Sequence, residues 1–200
     1  LKKDPAAAFD WHYKAAMSAF VPSQLALGTR YRDGKGTTAD AQAALAWFQR
    51  AMQNGDMNGA LNVAAILENG STGAVDNKTA GEIYKEAASK GNPLAMASLG
   101  AMIEDGRGVQ GDFKQVFLLY TAGAEAKIEA AKERLANFKK RLSPEQIKEA
   151  EAFVLANRAT PGAGVPAAAP DKSEAAEKPK TKETPAKPAK PAKPASKDKR

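Results

Sequence analysis

Residues 97–124 read ASLGAMIEDGRGVQGDFKQVFLLYTAGA, and this stretch decides the fold. Val116, Leu119, Tyr120 and Gly123 recur at i, i+3, i+4 and i+7, which puts them on one face of a helix. Asp112 stands just before that pattern, where its carboxylate can accept a free backbone N–H of the first turn, and Gln115 completes a capping box. Upstream, Gly106 and Gly108 follow an apolar segment and mark where an earlier helix stops. The stretch therefore predicts two helices joined by a glycine turn.

Working outward, the same pattern returns every 36 residues. Asp40, Asp76 and Asp112 align, as do Gly34, Gly70 and Gly106. The face Ala44, Trp47, Phe48, Ala51 matches Ala80, Ile83, Tyr84, Ala87 and then Val116, Leu119, Tyr120, Gly123. Leu27, Val63, Leu99 and Leu135 form another column, beside the small residues Gly28, Ala64, Gly100 and Ala136. Small residues facing large ones let helices approach closely, and Gly55 and Gly91 are placed to end the second helix of each pair. Strand-type Val/Ile/Thr runs are nearly absent, so the class is all-α.

The segments LALGTRYRDGKG (25–36), DAQAALAWFQRAMQNG (40–55) and residues 97–124 resemble Sel-one-like repeats, relatives of the tetratricopeptide repeat. The middle unit departs from that pattern, with Thr72 where the second loop glycine belongs and Gly73 one place late, so a reshaped loop is expected there. The resemblance implies a right-handed α-solenoid of stacked antiparallel helix pairs, about eight helices in all. The same register runs backward through Asp4, Ala8, Trp11 and Ala15, with Pro5 at a favoured first helical position, which predicts a half repeat over 4–21. Units of about 22–57, 58–93 and 94–126 follow, then a C-terminal cap over 127–158, with the solenoid spanning 1–158. The cap is read from Ile128, Ala131, Leu135 and Phe138 on one helix, and from the capping box Ser143-Pro144-Glu145-Gln146 opening another with Ile147, Ala150, Val154 and Leu155.

The net charge of +7 is uneven, because residues 160–200 carry nine Lys and one Arg against three Glu and two Asp, or +5. Eight of the twelve prolines lie there too, three of them phased in AKPAKPAKP (186–194), so residues 159–200 are expected to be a disordered, semi-stiff tail. Two uses are open to it: a solvated tether, or sequence-blind contact with a polyanion through Lys187, Lys190 and Lys193. No run of about 18 apolar residues is present to span a bilayer.

Catalysis has no assembled candidates. The single histidine, His12, occupies the column of Phe48, Tyr84 and Tyr120 and reads as a packing residue. One histidine without cysteine argues against a transition-metal site, and no cofactor is expected. Asp33, Glu68, Glu104 and Asp105 recur beside the glycine turns and are expected to be solvated. Gly34-x-Gly36 and Gly106-x-Gly108 follow helices rather than strands, which excludes a phosphate cradle.

In relatives of this fold the first helix of each pair usually lines a concave side, so its solvent-facing columns are the expected contact surface for a protein or peptide partner. Those columns are read as Gln24, Asn62 and Ser98, and as Arg30, Ile66 and Met102; packing of Ile66 and Met102 against the next unit is the competing reading. Tyr31, Leu67 and Ile103 are core by phase, and Trp11 and Trp47 are seam residues. The resemblance thus implies a non-catalytic interaction scaffold, with a polyanion-associated protein acting through its tail as the alternative. Leu1 in place of methionine leaves open a removed signal peptide or a cut inside a longer chain. Together with the tail composition and the family's frequent export, it favours a bacterial periplasmic or secreted location over a cytoplasmic one.

Overall fold

The computed structural model describes residues 5–158, with side chains from Phe9 onward. The expected cap Asp4, the side chain of Ala8, the 159–200 tail and its lysines Lys187, Lys190 and Lys193 lie outside the described residues. Within them there are nine helices and no strand: α1 (Pro5–Met17), α2 (Val21–Asp33), α3 (Ala41–Gln53), α4 (Met57–Asn69), α5 (Asn77–Ser89), α6 (Pro93–Glu104), α7 (Phe113–Glu125), α8 (Glu129–Lys139) and α9 (Pro144–Arg158). They fall into two compact units, residues 5–59 and residues 60–158.

Helix starts obey the local chemistry of the sequence. The Asp40 carboxylate accepts the N–H of Ala43 at 3.0 Å, and Asp76 accepts that of Thr79 at 3.0 Å. Asp112 accepts from the Gln115 N–H at 2.9 Å while the Gln115 side chain accepts back from the Asp112 N–H at 3.2 Å. Ser143 and Gln146 repeat this reciprocal box at the start of α9, at 3.2 and 2.9 Å. Each box satisfies two backbone donors that the first turn of a helix leaves open.

Helix ends are set by left-handed glycines, with φ of 69° at Gly34, 67° at Gly70 and 66° at Gly106, and of 82° and 83° at Gly55 and Gly91. In the middle unit, φ at Gly73 is 114°, against 80° and 68° at Gly36 and Gly108. The loop changes shape there, yet the chain still returns to the same place. The Asp76 N–H reaches the Leu67 carbonyl at 2.9 Å, as the Asp40 N–H reaches that of Tyr31 at 2.8 Å.

Close packing depends on small residues meeting rings. A Cβ on Gly28 of α2 would lie 2.5 Å from the Phe48 ring of α3, and one on Gly100 of α6 would lie 3.0 Å from the Tyr120 ring of α7. Phe48 and Tyr120 are fully buried by this contact and its neighbours. In the last part of the chain, Val116, Phe117 and Tyr120 join Phe138 of α8 and Ala150 and Val154 of α9 in one core.

The first helix departs from the expected register. Trp11 is 74% exposed, although the aligned Trp47 is fully buried, and Phe9 and Ala16 carry the buried face of α1. The cause is visible at Trp47, whose ring is covered edge-on by Tyr13 of α1 at 5.8 Å. No described helix precedes α1 to cover Trp11 in the same way. Leu155 of α9, expected on the apolar face, is likewise 70% exposed.

Gly28→Ala is expected to destabilise the chain by about 1–3 kcal/mol, because the buried Phe48 ring must leave its place to admit one methyl. Asp112→Ala is expected to cost about 1 kcal/mol through loss of the cap alone. Urea unfolding followed by far-ultraviolet circular dichroism measures both.

Candidate interaction surface

The ring of Tyr120 lies against Gly100, and its hydroxyl reaches the carboxylate of Glu104, one turn further along α6. The same spacing recurs one unit earlier, where the Tyr84 hydroxyl donates to Glu68 Oε2 at 3.1 Å. Residues i and i+4 share a helix face, so a ring laid on the first necessarily points at the second. In residues 5–59 the pair is absent: Phe48 has no hydroxyl, and position 32 holds Arg32, which bonds Asp33 at 2.8 Å.

Arginines from later in the chain close both sites. Arg107, in the loop after α6, bonds Glu68 through Nη1 and Asp105 Oδ2 through Nη2 at 2.9 Å. Arg134 of α8 reaches Glu104 Oε2 at 3.3 Å and Asp105 Oδ2 at 3.9 Å, and donates to the Tyr120 hydroxyl at 3.3 Å. Arg141 bonds the other oxygen of Glu104. The result is a continuous row of alternating charge: Glu68, Arg107, Asp105, Arg134, Glu104, Arg141.

This corrects the expectation that the carboxylates beside the glycine turns are solvated. The Glu104 side chain is 11% exposed and that of Glu68 22%, while their arginines keep 32–60% of their surface. Asp33 is also paired, with Arg32 and Lys35, and those two hydrogen bonds hold its carboxyl down to about 2. The Tyr84 phenol is pushed well above its ordinary range, first by burial and then by the charge of Glu68 beside it. Tyr120 is raised too, chiefly by burial, with Arg134 opposing. The Arg107 guanidinium is raised by its bond to Glu68.

The six residues read as a contact surface do not stay together. Gln24, Ile66 and Met102 are buried, not solvent-facing. Gln24 bonds the Ala16 carbonyl at 3.3 Å and accepts from Asn54 at 3.0 Å, so it ties α1 to the turn after α3. Met102 faces α5, its methyl 3.7 Å from where a Cβ of Gly81 would stand. Packing of Ile66 and Met102 therefore wins over exposure. Asn62 and Ser98 are half-exposed, 36 residues apart, and Arg134 is the next member of their column. Ser98 stands close enough to the Tyr84 phenol to oppose its upward shift, which places this column beside the charged row. Arg30 is half-exposed and donates to the Lys35 carbonyl at 3.2 Å.

Other expectations sort cleanly. Tyr31 is buried, and Leu67 and Ile103 are half-buried. His12 is half-buried, its Nδ1 3.3 Å from Ser23 Oγ. Among the described residues no group of His, Cys, Asp or Glu is placed to hold a metal, and no helix is long and apolar enough to cross a membrane.

Glu104→Ala is expected to cost about 1–3 kcal/mol, because it strips Arg134, Arg141 and the buried phenol of one shared acceptor. Glu86→Ala, which breaks an exposed pair with Lys90, is expected to cost at most about 0.5 kcal/mol in the same urea assay. Alkaline titration gives a second test. The native state holds Tyr31, Tyr84 and Tyr120 protonated past their ordinary 10.0, so unfolding releases protons and stability falls as pH climbs above about 10. Phenolate absorbance from these residues is expected to rise together with loss of helix, and Tyr84→Phe to reduce that cooperative part.

Comparison with known proteins agrees with this geometry. The family model for the Sel1 repeat matches residues 1–20, 21–56, 58–92 and 93–127. Among solved structures, a Sel1 repeat protein from Oxalobacter formigenes is similar, with 27% identity and a TM-score of 0.62, over 68% of this chain and 56% of that one. The c5321 protein, a protective antigen of uropathogenic Escherichia coli strains displaying an SLR fold, aligns with 19% identity and a TM-score of 0.47, over 76% of this chain and 41% of its own. The chain thus spans about half the length of these two structures. No curated protein matches it. With four successive matches covering more than half of its residues, and with the capped helix pairs and glycine turns that those matches require, the chain belongs to the Sel1 repeat family.

Proposed function

We propose that this chain is a non-catalytic scaffold that holds a protein or peptide partner on the first-helix face of residues 60–158. Proteins of the Sel1 repeat family generally serve as protein–protein interaction scaffolds, and this chain has the family's repeats along most of its length. The observation that carries the reading is the column Asn62, Ser98, Arg134, which repeats at 36 residues, keeps part of its surface in solvent and borders the charged row. Regularly spaced polar groups on rigid helices suit the recognition of an extended chain, whose own donors and acceptors also recur at fixed intervals. Arg30 offers a second half-exposed contact in residues 5–59.

In this reading residues 159–200 would serve as a tether. Polyanion contact through Lys187, Lys190 and Lys193 draws no support from the described residues or from the family match, and it is not part of this reading. In this reading the scaffold works in a bacterial periplasm or in the medium.

Site-specific photo-crosslinkers at positions 62, 98 and 134 are expected to capture one and the same protein from cells of the source organism. Crosslinkers at Glu82 and Glu86, exposed on α5, serve as controls. Equal capture from the controls, or none from the first-helix positions, would remove the basis for this surface.

A further inference from the structure

Asparagine is followed by glycine three times in the chain, at 54–55, 58–59 and 69–70. A glycine brings no side chain between its backbone nitrogen and the asparagine Cγ, so each pair carries the atoms of an intramolecular reaction. Two of the three are held apart. Asn54, after the end of α3, donates its amide to the buried Gln24 at 3.0 Å, and the Gly55 N–H is committed to the Met52 carbonyl at 2.9 Å. Asn58 lies in the first turn of α4, where the Gly59 N–H donates to Asp56 Oδ1 at 2.8 Å and Gly59 itself is buried against the backbone of α3.

Asn69 differs. It is the last residue of α4 and is exposed. Its Oδ1 accepts the Ser71 N–H at 2.8 Å, and the Ser71 hydroxyl donates to the same oxygen. These bonds fold the side chain across the Gly70 peptide. Two donors on one amide oxygen also draw charge from Cγ and stabilise the oxyanion that forms when a nucleophile adds there.

The 36-residue register shows what this pair replaces. Asn69 aligns with Asp33 and Asp105, and Ser71 aligns with Lys35 and Arg107. Those units carry an ion pair across the glycine, Asp33 with Lys35 at 2.8 Å and Asp105 with Arg107 at 2.9 Å. The middle unit holds an amide and a hydroxyl in the same relation, and an amide, unlike a carboxylate, has a nitrogen to lose.

We propose that Asn69 is a site of self-modification. The Gly70 backbone nitrogen gives its proton to hydroxide and adds to Asn69 Cγ; the Cγ–Nδ2 bond then breaks, and ammonia leaves with a proton taken from water. Water opens the resulting succinimide at one carbonyl or the other, giving aspartate or isoaspartate. The helix end must loosen for the nitrogen to reach Cγ, which a last turn does at low cost. The product puts an acid next to Glu68 in the position where the other units have one, but opposite Ser71 instead of a cation. In the isoaspartate form it also lengthens the backbone between α4 and its loop.

Incubation of the full chain in mildly alkaline buffer, followed by peptide mapping by mass and by isoaspartyl methyltransferase labelling, tests this. Residue 69 is expected to lose its amide roughly tenfold or more faster than residues 54 and 58. Both aspartate and isoaspartate are expected there, at a rate that rises with hydroxide. Ser71→Ala, an exposed change whose fold circular dichroism checks, is expected to slow the reaction several-fold and to leave residues 54 and 58 as they were. A chain that keeps the Asn69 amide overturns the proposal, as does equal loss at 54 or 58. Aspartate without isoaspartate overturns the cyclic route, and an unchanged or faster rate in Ser71→Ala overturns the part given to Ser71.

Discussion

A ring laid on bare backbone is the contact on which most of this structure depends. Gly28 receives Phe48 and Gly100 receives Tyr120, and in each case even a methyl would intrude on the ring. The close approach buries large aromatic area with small residues opposite, which is how a chain with 6% aromatic content obtains a dense core. It also fixes the spacing between the two helices of a pair, and so dictates where everything beyond the ring is placed.

The charged row follows from that contact. Once Tyr120 lies on Gly100 its hydroxyl must meet residue 104, and once Tyr84 packs in the equivalent place it must meet residue 68. A buried phenol beside a half-buried carboxylate is costly unless cations complete the set, and Arg107, Arg134 and Arg141 do so. Where the ring is Phe48 the requirement disappears, and position 32 carries an arginine instead of a glutamate. The two substitutions belong together.

Much of this was legible in the sequence. The aspartate caps, the left-handed glycines, the small-residue columns and the all-helical class all express local rules that one unit states and the next repeats. The exposure of Trp11 was not legible, because its burial depends on a neighbour rather than on its own helix. Gln24 was misread for a related reason: it lies 38 residues before Asn62, out of the 36-residue register, and its amide is consumed by Ala16 and Asn54. Met102 turned inward because α6 touches both its partner α7 and the preceding α5, leaving a narrower solvent face than phase alone assigns, and Ile66 is buried too. The Glu–Tyr pairing was present as two columns sixteen residues apart, Glu68 with Tyr84 and Glu104 with Tyr120. Their arginines were not, since one comes from a loop and two from the C-terminal cap, with no shared position in the repeat.

That last asymmetry bears on how such a chain can change its length. The phenol and its carboxylate travel within one helix pair, but the cation is lent by whatever comes next. Duplicating a pair copies the demand without copying the supply, so each new junction must find its own arginine from a loop or a helix. Deleting a pair leaves an acid stranded at the seam. Units of this kind are interchangeable in their backbones and particular in their neighbours, and growth of the array is gated by a single charge at each joint.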